Sequence, residues 1–120
     1  MKIDLTKQIH KHFINTSLSG KKVSITYCEA ELSYTLMHFT SGKSMKISYC
    51  LNKVQKKLPN KNFVRCHRSY LVNINEVKKV SFKEKVFILK NKDRISISRR
   101  RMKDVTKHLI DYFKVESIFD

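Results

Sequence analysis

Two arginine-rich clusters contain the side chains of this chain that are best suited to binding a ligand. The first lies within FVRCHRSYLVN, residues 63–73, where apolar residues are predicted to anchor a strand and to leave Arg65, His67 and Arg68 free to donate hydrogen bonds. The second is SRRRMK, residues 98–103, about thirty residues further along. Two basic clusters at this separation predict one shared binding surface.

The side chains divide into those that suit a base edge and those that suit the phosphate backbone of a nucleic acid. Arg68 and the run Arg99–Arg101 are predicted base readers, because an arginine fork can donate two hydrogen bonds to guanine and so discriminate by about 1–3 kcal/mol. The Ser69 hydroxyl and the ammonium groups of Lys90 and Lys92 are predicted to contact phosphates, which position a protein without reporting sequence.

The elements that must position these side chains are predicted to be mostly strands. Residues alternate in polarity from Val23, again over residues 34–39, and again over residues 44–48. The segment Glu29–Ser33 is predicted to connect the first two strands, and Ser41-Gly42-Lys43 is a turn signal. The pattern predicts a β-meander.

Helices and further strands follow. Ser48 is predicted to cap a helix with Leu51, Val54 and Leu58 on one face, and Pro59 ends it. Residues 63–73 are predicted as a single strand. Three more strands are predicted at residues 77–82, 86–90 and 94–98, joined by hairpin turns at residues 83–85 and 91–93. A closing helix is predicted to carry Met102, Val105, Leu109 and Tyr112 on one face.

The charge balance is the strongest global feature. The 120 residues include 26 Lys and Arg against 10 Asp and Glu, which gives a formal net charge of +16. Between Gly42 and Asn75 there are eight basic residues and no acidic one. So much self-repulsion predicts a polyanionic partner, namely DNA, RNA or an anionic membrane. The absence of a long apolar run argues against a membrane span, and a cytoplasmic location is expected.

The sequence predicts neither catalysis nor a metal or cofactor site. The acidic residues are scattered, the five histidines fall on different elements, and two glycines cannot build a phosphate-cradling loop. Three cysteines without CxxC spacing indicate neither a disulfide framework nor a zinc site. Cys66 and His67 are predicted to point to opposite sides of a strand, with Cys66 half-buried.

The order of landmarks from Ile25 to Leu109 resembles a LytTR-type DNA-binding domain. This domain is the output module of many bacterial response regulators in two-component systems, including those of the AgrA and AlgR kinds. The matching landmarks are the string ITYCEA at residues 25–30, the strand at residues 34–39, the helix ending near Pro59, FVRCHRSYLVNINEV at residues 63–77 and ISRR at residues 97–100.

The resemblance implies a mainly β fold with short helices, built as an elongated stack of small antiparallel β-sheets. Residues 23–120 would form this domain, and residues 1–22 an N-terminal segment. Independently of the resemblance, the helical spacing of Leu5, Ile9 and Phe13 predicts a helix at Leu5–Asn15 in that segment. The resemblance also implies a sequence-specific transcription regulator that inserts loops into successive major grooves of double-stranded promoter DNA. Two paired protomers on direct repeats are part of this expectation. No receiver domain precedes the module, so a stand-alone regulator and an excised domain both remain open.

By position, the resemblance places the contact loops at about residues 32–34, 67–69 and 99–101. Arg68 and Arg100 are the predicted base readers of first choice, and His67, Arg99 and Arg101 lie in the same loops. The predicted backbone contacts are Ser33, Tyr34, Ser69, Lys90, Lys92 and Lys103.

Two other functions remain open at this stage. A basic RNA-binding module acting by shape and charge would have a similar composition. Alternatively, Leu5, Ile9 and Phe13 could dock a separate regulatory protein, although covering the domain's own core is the favoured role for them. A redox input through Cys66 is a further hypothesis, for which an inert buried thiol is the favoured alternative.

Overall fold

Strands form most of the regular structure in the computed structural model, which describes residues 24–113. The helix predicted at Leu5–Asn15 and the turn predicted at residues 17–22 lie outside this range. Within it the α-helices and strands follow in the order β1 (Ile25–Glu31), β2 (Tyr34–Phe39), β3 (Ser44–Ile47), α1 (Leu51–Lys57), β4 (Phe63–His67), β5 (Tyr70–Asn73), β6 (Val77–Ser81), β7 (Val86–Leu89), β8 (Arg94–Ser96) and α2 (Met102–Phe113). Two short 3-10 helices, Ile74–Glu76 and Arg99–Arg101, precede β6 and α2.

These strands form two antiparallel sheets. The first has five strands in the order β3-β2-β1-β5-β4, and the second has three in the order β6-β7-β8. The described part of the chain measures 43 × 34 × 23 Å. The predicted fold class, mainly β with short helices and small antiparallel sheets, is confirmed, and so is the β-meander formed by β1, β2 and β3.

The five-stranded sheet separates two hydrophobic clusters. Alternate residues of β1, β2 and β3, among them Ile25, Met37 and Ile47, are buried on one face against Leu51 and Val54 of α1. Because successive side chains of a strand point to opposite faces, other residues of this sheet are buried on the second face. There the three-stranded sheet and α2 cover them; the cluster comprises Val64, Cys66, Val72, Ile74, Phe87, Leu89, Ile95, Ile97, Val105 and Leu109.

The helices confirm the predicted apolar stripes but not the predicted cap. Val105 and Leu109 of α2 are buried, as the spacing of apolar residues predicts. In α1 the N-cap residue is Cys50, without a side-chain capping bond, and Ser48 lies two residues too early to cap the helix. The prediction of a Ser48 cap is wrong because Tyr49 first packs against the core on the α1 side, so the helix begins after it.

The predicted single strand over residues 63–73 is wrong. This segment is a hairpin, in which β4 and β5 are joined by a turn at Arg68 and Ser69. A bulge also interrupts the hairpin, since Arg65 pairs with Leu71 whereas His67 pairs with Tyr70. Cys66 is therefore the extra residue of the bulge. Its side chain is buried with that of Val64 in one hydrophobic cluster, whereas His67 is half-buried, so the two neighbours still differ in exposure as predicted.

The predicted loop Glu29–Ser33 is also wrong. β1 continues through Glu31, and the connection to β2 consists of Leu32 and Ser33. The prediction failed because Glu29 is a strand residue whose charge is satisfied across the sheet, with its Oε1 atom 2.7 Å from Nε2 of His38. The remaining strands end one or two residues before their predicted ends, and the hairpin turns around residues 83–85 and 91–93 are confirmed.

Candidate nucleic-acid interface

The β1–β2 turn and the β4–β5 turn lie side by side at one end of the five-stranded sheet. β1 and β5 are antiparallel neighbours, and Glu29 pairs with Tyr70. Next to that pair the backbone N–H of Ala30 donates to the carbonyl oxygen of Ser69 at 2.9 Å. This hydrogen bond fixes the position of one turn relative to the other along the strand direction. The structure therefore brings two of the three predicted contact loops together.

The 3-10 helix Arg99–Arg101 begins beside the end of β4. The backbone N–H of Ser98 donates to the carbonyl oxygen of Cys66 at 2.8 Å, and Cys66 Sγ donates to the carbonyl oxygen of Ser96 at 3.5 Å. Since Cys66 immediately precedes His67, the third predicted loop starts next to the second. All three predicted loops thus border the same end of β4, β5 and β1.

Within residues 24–113, the predicted base readers present guanidinium groups without acidic partners. Arg68, Arg99 and Arg100 are exposed, and Arg101 is half-buried. Over residues 24–113 the ion pairs are His38 with Glu29 and Arg94 with Glu84, so none of these four arginines is paired with a carboxylate. An exposed, unpaired guanidinium can bind a phosphate or a base edge without first breaking an internal ion pair.

Arg65 holds the turn rather than facing a ligand, so the prediction that its guanidinium is free is wrong. Its Nε donates to the carbonyl oxygen of His67 at 2.8 Å, and its Nη2 donates to the carbonyl oxygen of Arg68. Its Nη1 donates to Oδ1 of Asn52 at 2.8 Å and to Oε1 of Gln55 at 2.9 Å. Burial, followed by the nearby Arg101 guanidinium, lowers the pKa of Arg65. Arg65 therefore ties the β4–β5 turn to α1.

The turn is also closed by a hydrogen bond of its own. The backbone N–H of Ser69 donates to Nδ1 of His67 at 3.1 Å, which requires that Nδ1 carries no proton. The His67 ring is tilted against the Tyr70 ring, with the ring centroids 5.2 Å apart. Of the two His67 nitrogens, only Nε2 remains available to contact a ligand.

The first predicted loop is a two-residue turn formed by Leu32 and Ser33. Ser33 is exposed and Tyr34 is half-buried. The Lys46 ammonium lies 4.3 Å from the centroid of the Tyr34 ring, which is a cation–π distance. Leu32 is 97% exposed and has a φ of 53°, in the left-handed region. The turn therefore presents a hydroxyl and an apolar side chain but no cation.

The predicted phosphate contacts are divided between two places. Lys103 is exposed in the first turn of α2, directly after the Arg99–Arg101 helix. Lys90 and Lys92 are exposed in the β7–β8 turn. The backbone N–H of Ile97 donates to the carbonyl oxygen of Lys85 at 2.8 Å, which places the other end of β7 next to the arginine run. The structure thus does not bring Lys90 and Lys92 to the three loops.

The comparison with protein families agrees with this arrangement of sheets and loops. A family model described as the LytTr DNA-binding domain matches residues 21–110, three quarters of the 120-residue chain. The chain belongs to the LytTR family. A LytTr DNA-binding domain from Bacillus cereus, part of a protein described as a methyl-accepting/DNA response regulator, has a similar solved structure. The TM-score is 0.65 at 26% identity, and the match covers 71% of this chain and 80% of that one.

Two curated relatives also match the LytTR domain. The transcriptional regulatory protein YpdB of Escherichia coli strain K12 is 31% identical over 84 residues, which cover 67% of this chain and 34% of YpdB. The sensory transduction protein LytT of Bacillus subtilis strain 168 is 34% identical over 73 residues, which cover 58% of this chain and 30% of LytT. The chain therefore spans about a third of the length of the curated relatives it matches.

The cysteines of the LytTR domain differ in exposure. Cys28 and Cys66 are fully buried, and burial raises the pKa of each thiol to about 12. The thiolate is the reactive form of cysteine, so both thiols are expected to be unreactive at neutral pH. Cys50 is exposed. Among residues 24–113 no group of three or more His, Cys, Asp and Glu side chains is placed to hold a metal ion. In the same range no helix is long and apolar enough to cross a membrane.

The roles of two residues in this region could not be predicted from the sequence. Arg65 was expected to face a ligand, because its partners Asn52 and Gln55 come from α1 and no local pattern relates them to β4. Leu32 was treated only as a loop boundary. The sequence feature that could have drawn attention to Leu32 is the lack of glycine and asparagine in a two-residue hairpin turn, where those residues are strongly preferred.

Proposed function

We propose that this LytTR domain is the promoter-binding part of a bacterial transcription regulator that recognises a specific duplex DNA sequence through its three turns. The observation that supports this proposal most directly is the grouping of the turns at one end of the sheet, with the unpaired guanidiniums of Arg68, Arg99 and Arg100 among them. A net charge of +16 favours the approach to DNA. The names of the relatives YpdB and LytT, which refer to transcriptional regulation and sensory transduction, point the same way.

In this proposal Arg68 and Arg100 contact base edges, and Ser33, Tyr34, Ser69 and Lys103 contact the backbone. Arg65 supports Arg68 from behind, because its hydrogen bonds hold the carbonyl groups of the β4–β5 turn. A single small domain can contact only a few base pairs through such turns. Two protomers side by side on a pair of direct repeats would supply the remaining specificity, and a separate regulatory protein could supply the input signal.

Selection from a random duplex DNA library at about 150 mM salt tests this proposal. The expected result is an enriched pair of direct repeats in the bound pool. A bound pool without any motif would contradict sequence-specific recognition. Competition with double-stranded RNA completes the test, since the major groove of A-form RNA is too narrow for these turns and RNA should compete poorly. Equal competition by RNA would favour a binder that acts by shape and charge.

The salt dependence of binding to the selected site tests the electrostatic part separately. If about six phosphates are neutralised, a plot of log K against log salt concentration should have a slope of about −5. Lys56→Ala, on the exposed face of α1, is the matched control and should leave both the motif and the slope unchanged. A slope near zero for the wild type would contradict the proposed phosphate contacts.

A further inference from the structure

Leu32 occupies a position in the turn that folding alone does not explain. Its side chain is 97% exposed and its φ is 53°. The left-handed region brings Cβ close to the carbonyl oxygen, so glycine and asparagine are the residues that usually occupy it in two-residue hairpin turns. A leucine here is unfavourable for the backbone and leaves an apolar side chain in water. The other non-glycine residues with positive φ over residues 24–113 are Lys85 and Lys92, so among the three only Leu32 carries an apolar side chain. That side chain is available for a contact with a ligand.

The turn that carries Leu32 projects beyond the neighbouring reading turn. Ala30 is level with Ser69, because the backbone N–H of Ala30 donates to the Ser69 carbonyl oxygen. The last pair of the β1–β2 hairpin, Glu31 with Tyr34, lies two residues beyond Glu29, which is level with Tyr70 at the end of the β4–β5 turn. Two residues correspond to about 7 Å along a strand. Leu32, in the β1–β2 turn, therefore lies further from the body of the sheet than the neighbouring β4–β5 turn, which carries Arg68.

The charges of this turn argue against a contact with phosphate. Its residues are Glu31, Leu32 and Ser33, so the tip carries no cation and is preceded by a carboxylate. The Lys46 ammonium group, on β3, lies over the Tyr34 ring. An apolar tip with an acidic neighbour suits the interior of a groove better than the anionic backbone. The apolar group that B-form DNA offers in the major groove is the C5-methyl group of thymine.

We propose that Leu32 packs against a thymine methyl group in the major groove and makes the β1–β2 turn specific for a T·A pair close to the base contacted by Arg68. This inference rests on the proposed function and deepens it. It assigns base reading to the first turn, for which backbone contacts by Ser33 and Tyr34 were predicted. It also accounts for the residue type, since asparagine or glycine would relax the backbone but lose the methyl contact.

The test uses a selected duplex in which each thymine is replaced, one at a time, by deoxyuridine, which lacks only the methyl group. For the wild-type chain, one position per half-site should lose about fourfold in affinity, as expected for one buried methyl group. Leu32→Ala should bind the thymine duplex less tightly and should show no further loss with deoxyuridine at that position. Coupling of this kind between protein and DNA variants would support direct contact.

A second variant separates the contact from folding. Leu32→Asn should raise the melting temperature, because asparagine adopts a positive φ more readily, while binding of the cognate duplex becomes weaker. If wild type and Leu32→Ala respond alike to deoxyuridine at every position, the inference fails. If the wild type selects no motif at all, the proposed function fails first. Arg68→Ala distinguishes these cases, because a loss of cognate binding with Arg68→Ala but no deoxyuridine coupling at Leu32 overturns only the inference.

Discussion

The guanidinium of Arg65 donates a hydrogen bond to the carbonyl oxygen of Arg68, so one arginine of the β4–β5 hairpin holds the turn on which the other is exposed. The two residues are three positions apart in the chain, yet their side chains have different environments. That of Arg65 bonds to two backbone carbonyl groups and to two side chains of α1. That of Arg68 is exposed and makes no ion pair within residues 24–113.

Replacement of Arg65 should affect both stability and binding. Arg65→Ala removes the side-chain donor to the carbonyl groups of His67 and Arg68. We therefore expect the free energy of unfolding to fall by about 1–3 kcal/mol and the affinity for cognate DNA to decrease. Arg65→Lys should not restore either property, because an ammonium group cannot match the geometry of a planar fork. Urea denaturation and a mobility-shift titration measure the two effects. Unchanged cognate affinity for Arg65→Ala would contradict the supporting role.

The exposed arginines should affect specificity without affecting stability. Arg68→Ala or Arg100→Ala should cost about 1–3 kcal/mol on the cognate duplex and relax the preference at one position. Lys103→Ala should instead weaken binding to cognate and random duplexes alike. Lys90→Ala should also act on all duplexes, but more weakly, since its turn lies at the far end of β7. Equal losses on cognate and random DNA for the arginine variants would exclude base reading.

The thiols should differ sharply in reactivity. Cys50 is exposed, whereas Cys28 and Cys66 are buried with raised pKa values. A thiol-specific reagent at pH 7.5 should therefore modify Cys50 in the native protein and the other two only after unfolding. Mass spectrometry of the modified peptides identifies the sites, and Cys50→Ala is the control that should remove the fast reaction. Rapid modification of Cys66 in the folded protein would revive the hypothesis of a redox input.

The same two thiols predict how stability changes in alkali. The folded pKa of Cys28 and of Cys66 is about 12, against a reference value of 9.0. The unfolded chain therefore loses these protons first, and the folded state binds more protons above pH 9. Linkage then requires stability to fall as the pH rises from about 9 towards 12, by about 1.4 kcal/mol per pH unit for each thiol. Denaturation curves of Cys28→Ala, compared with wild type across this range, should show a shallower decline.

The sequence predicts those features of the fold that depend on residues close together in the chain, such as the buried face of a helix. The stripe of Val105 and Leu109 reports the buried face of α2 because helical spacing alone brings those residues together. The turn at Arg68 and Ser69 contains no glycine, asparagine or proline, so no local signal separates β4 from β5. The bulge at Cys66 depends on the register between two strands and has no pattern of its own.

The candidate site divides in a similar way. Arg68 and Arg99–Arg101 were predicted as base readers from the chemistry of arginine, and the resemblance to the LytTR family assigned them to two of the contact loops. The role of Arg65 could not be predicted, since its hydrogen-bond partners Asn52 and Gln55 lie on α1, 13 and 10 residues away, and no local pattern relates them to β4. The separation of Lys90 from the other loops depends on how the three-stranded sheet packs against the rest of the domain. The periodicity of apolar residues in the sequence does not indicate that packing.

The hydrogen bonds that Arg65 makes to the β4–β5 turn end on carbonyl oxygens of the main chain, at His67 and Arg68. Every amino acid supplies such a carbonyl, so the support given by Arg65 is indifferent to the side chain at position 68. If Arg68 contacts a base edge as proposed, a substitution there changes the preferred base while the turn keeps its shape. A lineage with this arrangement can acquire new operators by single replacements in the turn, and regulators that descend from one gene can diverge in their targets without first losing their fold.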